Sequence, residues 1–154
     1  MTNEVKAINF AHILNENIDV ILPKITHSYI EKYDYLMVSY LKFDINEEDK
    51  YKRTFRSYYI MRYPTQKYAD EFFQVMDMQK NTDKPKLREV SESLFFISNR
   101  HELSFITKML HTRFDNFPIY DKHVCNFFGF KHPTGSLEDK IKQSEIIVQN
   151  MINT

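Results

Sequence analysis

Apolar side chains recur every three or four residues from Glu48 to the C-terminus, which is the spacing of a buried helix face. The chain has only 2 glycines and 5 prolines among its 154 residues. Sandwiches and barrels built from many short strands need more glycine-bearing turns than this. The sequence therefore predicts an all-α fold.

Loops that are polar or contain proline or glycine divide the apolar pattern into successive helices. These predicted helices cover roughly residues 48–63, 66–80, 86–98, 103–113, 121–129 and 136–152. Pro64 should stop the first of them, Gly129 should end the fifth, and Ser136 should cap the last. Asn99 is predicted to cap the helix over 103–113, with Glu102 as its reciprocal partner.

The N-terminal third carries a weaker pattern. Residues 10–22 fit one helix. Residues 34–43 are rich in aromatic and β-branched side chains, which suits either a strand or a buried helix. We favour a helix, because no tight turn follows to build a hairpin. No linker divides the chain, so a single helical domain is predicted over 1–154, with its core in 48–154.

The charge balance limits how this chain can meet nucleic acid. Lys+Arg and Asp+Glu both total 21, so the formal net charge is zero. Any nucleic-acid contact must therefore come from a local basic patch. The candidate patch lies on a helix whose aromatic residues alternate with the charges, and it consists of Lys50, Lys52, Arg53 and Arg56. The alternative is an ordinary amphipathic helix with its aromatic residues inward and its charges outward.

Several other site and protein classes have no support in the sequence. Cys125 is the single cysteine, which excludes an internal disulfide and a cysteine-based zinc site, and it is predicted to be buried. The six histidines show no tight ligand spacing, so no metal and no cofactor is predicted. Neither a membrane-length apolar run nor a signal peptide is present. We therefore expect a cytoplasmic protein without membrane contact.

One segment points to a chemistry. Residues 103–130 read LSFITKMLHTRFDNFPIYDKHVCNFFGF, which is a helix, a loop, a Pro-Ile-Tyr-Asp run and a new helix. This order resembles the end of the catalytic region in the helix-hairpin-helix DNA glycosylase superfamily. It is most similar to bacterial proteins of the 8-oxoguanine DNA glycosylase fold. The strings that carry the resemblance are SFITKML at 104–110 and FPIYDKHV at 117–124.

The resemblance implies a role for Asp121. In glycosylases of this superfamily the aspartate at this position assists loss of the base, because a carboxylate beside the sugar stabilises an oxocarbenium-like transition state. The implied activity is that of a monofunctional N-glycosidic hydrolase in DNA repair. Asp121 also precedes an apolar helix, so a purely structural role as helix cap remains open.

Polar residues near Asp121 complete the candidate site. Ser104, Lys108 and His111 fall on one side of their helix, where they either line a cleft or form a solvated face. His123 matches the D-x-H of the superfamily, as a reactant or as a hydrogen-bonding support. The candidate catalytic residues are Asp121, Lys108 and His123, and the candidate substrate-binding residues are His111, Ser104, Lys52, Arg53 and Arg56.

The sequence also departs from the superfamily. The position of the Schiff-base lysine of bifunctional members falls at Leu103 or Glu102, and neither is an amine. Residues 98–102 replace the hairpin whose glycines bring backbone N–H groups to a DNA phosphate, and they contain no glycine. Two functions therefore remain open. One is a glycosylase-like protein that acts on or recognises a nucleobase, and the other is a catalytically inactive scaffold that binds a protein partner.

Overall fold

The computed structural model describes residues 10–154 and contains only helices and loops over that range. The all-α prediction is therefore confirmed. The helices are α1 (Phe10–Ile21), α2 (His27–Ser39), α3 (Asp49–Tyr58), α4 (Gln66–Met78), α5 (Leu87–Ser98), α6 (Leu103–Arg113), α7 (Lys122–Phe128) and α8 (Leu137–Ile152). Short 3₁₀ turns follow α1 at Leu22–Lys24 and α4 at Gln79–Asn81.

Helix α5 lies at the centre of the packing. It contacts α4, α6 and α8, while α2 packs against α3 and α6. The buried side chains of these helices form one apolar core. Its largest fully buried members are aromatic, and they include Tyr40, Tyr51, Phe55, Tyr68 and Phe72.

Aromatic rings join α3, α4 and α6. The ring centroid of Phe55 lies 5.8 Å from that of Phe72 and 5.9 Å from that of Phe73. Tyr63, in the loop after α3, has its ring centroid 5.7 Å from that of Phe105 on α6. These separations are typical of aromatic pairs in protein cores. The tyrosine-rich run at 58–68 therefore belongs to the core and its rim.

Three predicted helix ends are confirmed. The Val124 N–H donates to Asp121 Oδ1 at 2.9 Å, which caps α7, and Gly129 ends α7 with a φ of 69°. Before α8, the Asp139 N–H donates to Ser136 Oγ, and the Ser136 N–H donates to a carboxylate oxygen of Asp139. This reciprocal pair is a capping box.

The predicted end of the first core helix is wrong. Helix α3 ends at Tyr58, not next to Pro64, because Ile60 adopts a left-handed conformation with a φ of 51°. The Met61 N–H then donates to the Arg56 carbonyl at 3.0 Å. This is the hydrogen bond of a Schellman motif, in which the left-handed position is usually glycine. Ile60 carries none of the sequence signals for such a turn.

The predicted role of Asn99 is also wrong. Asn99 ends α5 in a left-handed conformation with a φ of 55°, and its N–H donates to the Phe95 carbonyl. Asparagine tolerates this conformation better than most residues, so the same side chain suits either end of a helix. Glu102 precedes α6 without a side-chain cap and forms an ion pair with Arg100 instead, with N and O 2.9 Å apart.

The N-terminal predictions largely agree with the structure. Helix α1 matches the expected helix over 10–22. Residues 34–39 belong to α2, which confirms the helix prediction for that part, while 40–43 form a turn. Helix α2 begins earlier than expected, after Thr26, whose hydroxyl accepts the Tyr29 N–H at 3.3 Å.

Candidate functional site

Asp121 is positioned by a buried hydroxyl on α6. Thr107 is fully buried, and its Oγ1 accepts the backbone N–H of Tyr120 at 3.0 Å. The Tyr120 hydroxyl is hydrogen-bonded to Nδ1 of His132 at 2.8 Å, so the side chain of Tyr120 is fixed as well as its backbone. The Pro-Ile-Tyr-Asp run is therefore fixed against α6, and Asp121 emerges next to that helix.

Lys108 is the unusual residue of this region. Only 9% of the surface of Lys108 is exposed to solvent, although lysine is almost never buried without a partner. Its Nζ donates to Ser104 Oγ at 3.0 Å and lies 5.7 Å from the ring centroid of Tyr59. The alternative of a solvated helix face is therefore excluded for Lys108. Burial lowers the pKa of the Lys108 ammonium below its ordinary value.

Asp121 is the charged neighbour of Lys108. Its carboxylate acts against burial and raises the pKa of Lys108, although the net shift is downward. No ion pair among the described residues joins the two side chains. Asp121 is half-buried, and one of its oxygens is already used by the Val124 N–H. Of the residues predicted for the site, Lys108 and Ser104 are therefore in contact, and Asp121 acts on Lys108 through its charge.

His111 has partners of its own. Its Nδ1 lies 2.8 Å from the Phe117 carbonyl, so this nitrogen carries the proton and donates. Its Nε2 lies 2.9 Å from the Tyr33 hydroxyl, which therefore donates to it when the ring is neutral. His111 joins α2, α6 and the loop before α7, and neither of its nitrogens bonds to Lys108 or Asp121.

His123 lies on α7, two residues after Asp121, and its side chain is exposed. The structure places no other predicted site residue in hydrogen-bond contact with it. Cys125, two residues further on, is buried as predicted, and its thiol donates to the Phe130 carbonyl at 2.8 Å.

The segment that joins α5 to α6 lies where the resemblance would place the superfamily's hairpin. Its left-handed residue is Asn99, and the segment holds no glycine. No family model, curated protein or solved structure matches this chain. The resemblance therefore depends on the residues of 103–130 alone.

Two further searches cover residues 10–154. No group of three or more His, Cys, Asp or Glu side chains in that range is arranged to hold a metal ion. None of the helices there combines the length and the apolar character needed to cross a membrane.

Lys52, Arg53 and Arg56 of the predicted basic patch line one cavity, together with Asp49 and Asp70. The Lys52 ammonium already has two partners close in sequence. Its Nζ donates to the Asn46 carbonyl at 2.7 Å and forms an ion pair with Asp49 at 3.2 Å. Arg53 and Arg56 also reach a second cavity further along α3. Neither Arg53 nor Arg56 takes part in an ion pair among the described residues, whereas Lys52 does.

We call this second cavity the arginine groove. It has a volume of about 380 Å³, and its lining residues are Arg53, Arg56, Ser57, Ile60, Met61 and Arg62. None of them carries a carboxylate. Lys32 on α2 adds a fourth cation at the edge, where its Nζ donates to Ser57 Oγ at 3.4 Å.

Sequence reasoning missed several of these residues. Thr107 and Tyr59 support the Asp121–Lys108 region through contacts that no local pattern indicates. Lys32 and Arg62 belong to the arginine groove. Lys32 lies on α2, and Arg62 lies beyond the observed end of α3, although the helix predicted over 48–63 included it. The basic run around Arg53 was the sequence signal for this groove, and it included two of the four cations there, Arg53 and Arg56.

Proposed function

We propose that this chain is a DNA-glycosylase-like protein that recognises a nucleobase in nucleic acid and assists cleavage of its N-glycosidic bond through Asp121. The carboxylate stabilises positive charge on the sugar as the bond to the base breaks and the bonding electrons leave with the base. Water then adds to the sugar carbon, and its proton is lost to a base nearby.

The burial of Lys108 beside Asp121 carries this proposal. Removing an ammonium group from water costs free energy, and a chain under selection for stability alone has no reason to retain it. A titratable group that is desolvated next to an opposite charge is typical of functional sites. Lys108 is well suited to donate a hydrogen bond or a proton to the departing base, because its lowered pKa makes proton release easier.

The competing explanation for Asp121 is that it only caps α7. An asparagine at this position keeps the capping acceptor, because its carbonyl oxygen also binds an N–H group. It removes the negative charge that the chemistry needs. Asp121→Asn therefore separates capping from catalysis.

The test is a panel of damaged and undamaged oligonucleotides, single-stranded and duplex, assayed for release of free base by wild type and Asp121→Asn. We expect release from at least one substrate by the wild type and none by the variant, with both proteins showing the same helical circular dichroism. Equal release by both proteins, or no release from any substrate, would overturn the proposal.

A second candidate function has its own observation. Large apolar side chains are exposed along α1, α2, their connection and the turn after α2, which suits a protein partner better than water. They include Ile18, Val20, Leu22, Ile25, Ile30 and Leu41. On this view the chain is a helical interaction module, and Asp121 serves only as a cap.

Light scattering tests this candidate with matched variants. We expect a dimer or a larger assembly that Val20→Ser with Leu22→Ser converts to monomer. The control, Ile146→Ser with Ile152→Ser, removes two equally exposed apolar side chains from α8 and should leave the assembly intact. A wild-type protein that is strictly monomeric and captures no partner counts against the module.

A further inference from the structure

The arginine groove holds an excess of positive charge that no ion pair of the described residues neutralises. Three guanidinium groups line it, and the Lys32 ammonium reaches Ser57 at its edge. No ion pair in the part of the chain that the structure describes includes Arg53, Arg56 or Arg62. Cations brought together in this way repel one another unless an anion joins them.

Two carboxylates lie in the cavity that adjoins the groove. Asp49 and Asp70 line the adjoining cavity, which shares Arg53 and Arg56. Asp49 pairs with Lys52, and Asp70 accepts a hydrogen bond from the Gln66 side chain at 2.8 Å. The positive charge of Arg62 and Lys32 lies on the other side, where no carboxylate lines the groove.

Hydrogen-bond donors in the groove suit phosphate. Guanidinium groups present paired N–H donors that match phosphate oxygens, and the Ser57 hydroxyl adds another donor. Arg56 is partly used, since its Nε donates to the Met61 carbonyl at 3.2 Å, which fixes the position of its guanidinium. A fixed guanidinium loses less side-chain entropy when it binds.

Apolar and aromatic surface lies beside the cations. Ile60 is 81% exposed and projects from the groove between Tyr59 and Met61. On α2, Tyr29 is 49% exposed and has its ring centroid 4.4 Å from that of Tyr58. Single-stranded nucleic acid binds to surfaces that combine cations for its backbone with rings and apolar groups for its bases.

We propose that the arginine groove binds phosphate groups of a single nucleic-acid strand. Its contacts are Arg53, Arg56, Arg62, Lys32 and Ser57. The inference deepens the proposed function, because it names the part of the substrate that this surface holds. Strand binding and base release are separate measurements, so either can fail while the other succeeds.

The test is fluorescence anisotropy with a labelled single strand of about 16 nucleotides, as DNA and as RNA of the same sequence. Arg53→Gln with Arg62→Gln should weaken binding at least about tenfold, because two charge-assisted contacts are lost. The slope of log affinity against log salt should fall by about 1.4, which is about 0.7 for each lost phosphate contact. Both arginines are exposed, so the variant is expected to fold.

Two controls make the test specific. Lys140→Gln with Lys142→Gln removes the same charge from α8 and should change affinity less than about twofold, because surface charge far from the site acts only through the screened field. Ser57→Asp places a carboxylate in the groove and should abolish binding, whereas Ser57→Ala should weaken it only slightly.

Three results would overturn the inference. The first is equal loss of affinity in the groove variant and the α8 control, which would indicate general attraction. The second is no binding of either strand by the wild type. The third is binding of inorganic phosphate or a free mononucleotide without binding of the strand, which would assign the groove to a small ligand.

Discussion

Thr107 and Tyr120 are joined through both backbone groups of the tyrosine. Oγ1 of Thr107 accepts the Tyr120 N–H at 3.0 Å, and its single proton is shared between the Ser104 carbonyl at 3.3 Å and the Tyr120 carbonyl at 3.4 Å. One buried hydroxyl therefore supplies hydrogen bonds to the backbone of the extended segment before Asp121, where no helix or sheet supplies partners.

Thr107→Val should destabilise the protein by about 1–3 kcal/mol, because valine keeps the shape but leaves a buried N–H without an acceptor. Thr107→Ser retains the hydroxyl and should lose less, by the burial of one methyl group at about 1 kcal/mol. Urea unfolding followed by circular dichroism measures both. A valine variant as stable as wild type would show that the hydroxyl does not hold this segment.

Asp121 should contribute to stability as a cap regardless of any chemistry. Asp121→Ala is expected to cost about 0.5–2 kcal/mol, because the Val124 N–H loses its acceptor. Asp121→Asn keeps the cap and should lose less, about 0.3–1 kcal/mol, because only the attraction of the carboxylate to Lys108 and to the helix N-terminus is removed. Thermal and urea unfolding of the two variants side by side give these differences. Equal losses in both would mean that the charge, and not the cap, stabilises α7.

Lys108 should make stability depend on pH in the alkaline range. Burial lowers its pKa, and Asp121 opposes this only in part. Between the lowered value and the ordinary 10.5, the unfolded chain holds a proton that the folded chain has lost. The contribution of Lys108 to folding therefore becomes more favourable as pH rises through that interval.

Lys108→Met removes this dependence. The variant should be at least as stable as wild type at neutral pH, and its advantage should shrink as pH approaches 10.5. Urea unfolding at several pH values measures the difference between the two proteins, which cancels the ionisation of the tyrosines they share. Lys131→Met, at an exposed position, is the control and should show no such trend. A constant difference between Lys108→Met and wild type would contradict the buried ammonium.

The helices that the sequence predicts well are those whose ends are formed by contacts between residues close in sequence. Asp121, Gly129 and Ser136 each end or begin a helix through contacts with residues close in sequence, so the residue type is sufficient. Asn99 fails because asparagine suits a left-handed helix end and an N-cap alike. The resemblance in 103–130 placed Asp121, but it gave no indication that Lys108 is buried.

The arginine groove shows what local patterns leave out. Ser57 and Lys32 are on different helices, and their contact exists only because α2 packs against α3. Arg62 joins them because α3 ends early at Tyr58, which depends on a left-handed isoleucine and on the burial of Met61. Tertiary packing stabilises that turn, and propensity alone predicts the opposite.

Ile60 is therefore the residue at which stability and binding should respond in opposite directions. A β-branched residue in the left-handed conformation costs about 1–2 kcal/mol, and Ile60 regains little through burial because it is 81% exposed. Ile60→Gly removes that cost but adds about 0.5–1 kcal/mol of backbone entropy to the unfolded chain. We expect a net gain of about 0.5–1 kcal/mol in unfolding free energy. Ile60→Ala, which keeps a Cβ in the same conformation, should gain less.

The same substitution removes the apolar side chain that projects from the arginine groove. If that side chain contacts bases, Ile60→Gly should weaken binding of a single strand several-fold while its salt dependence stays unchanged, because the cations remain. Unfolding and anisotropy measurements on one preparation test both effects. A variant that is less stable than wild type would contradict the strain at Ile60. A more stable variant with unchanged affinity would restrict the groove to phosphate contacts. The isoleucine at position 60 would then contribute neither to stability nor to binding.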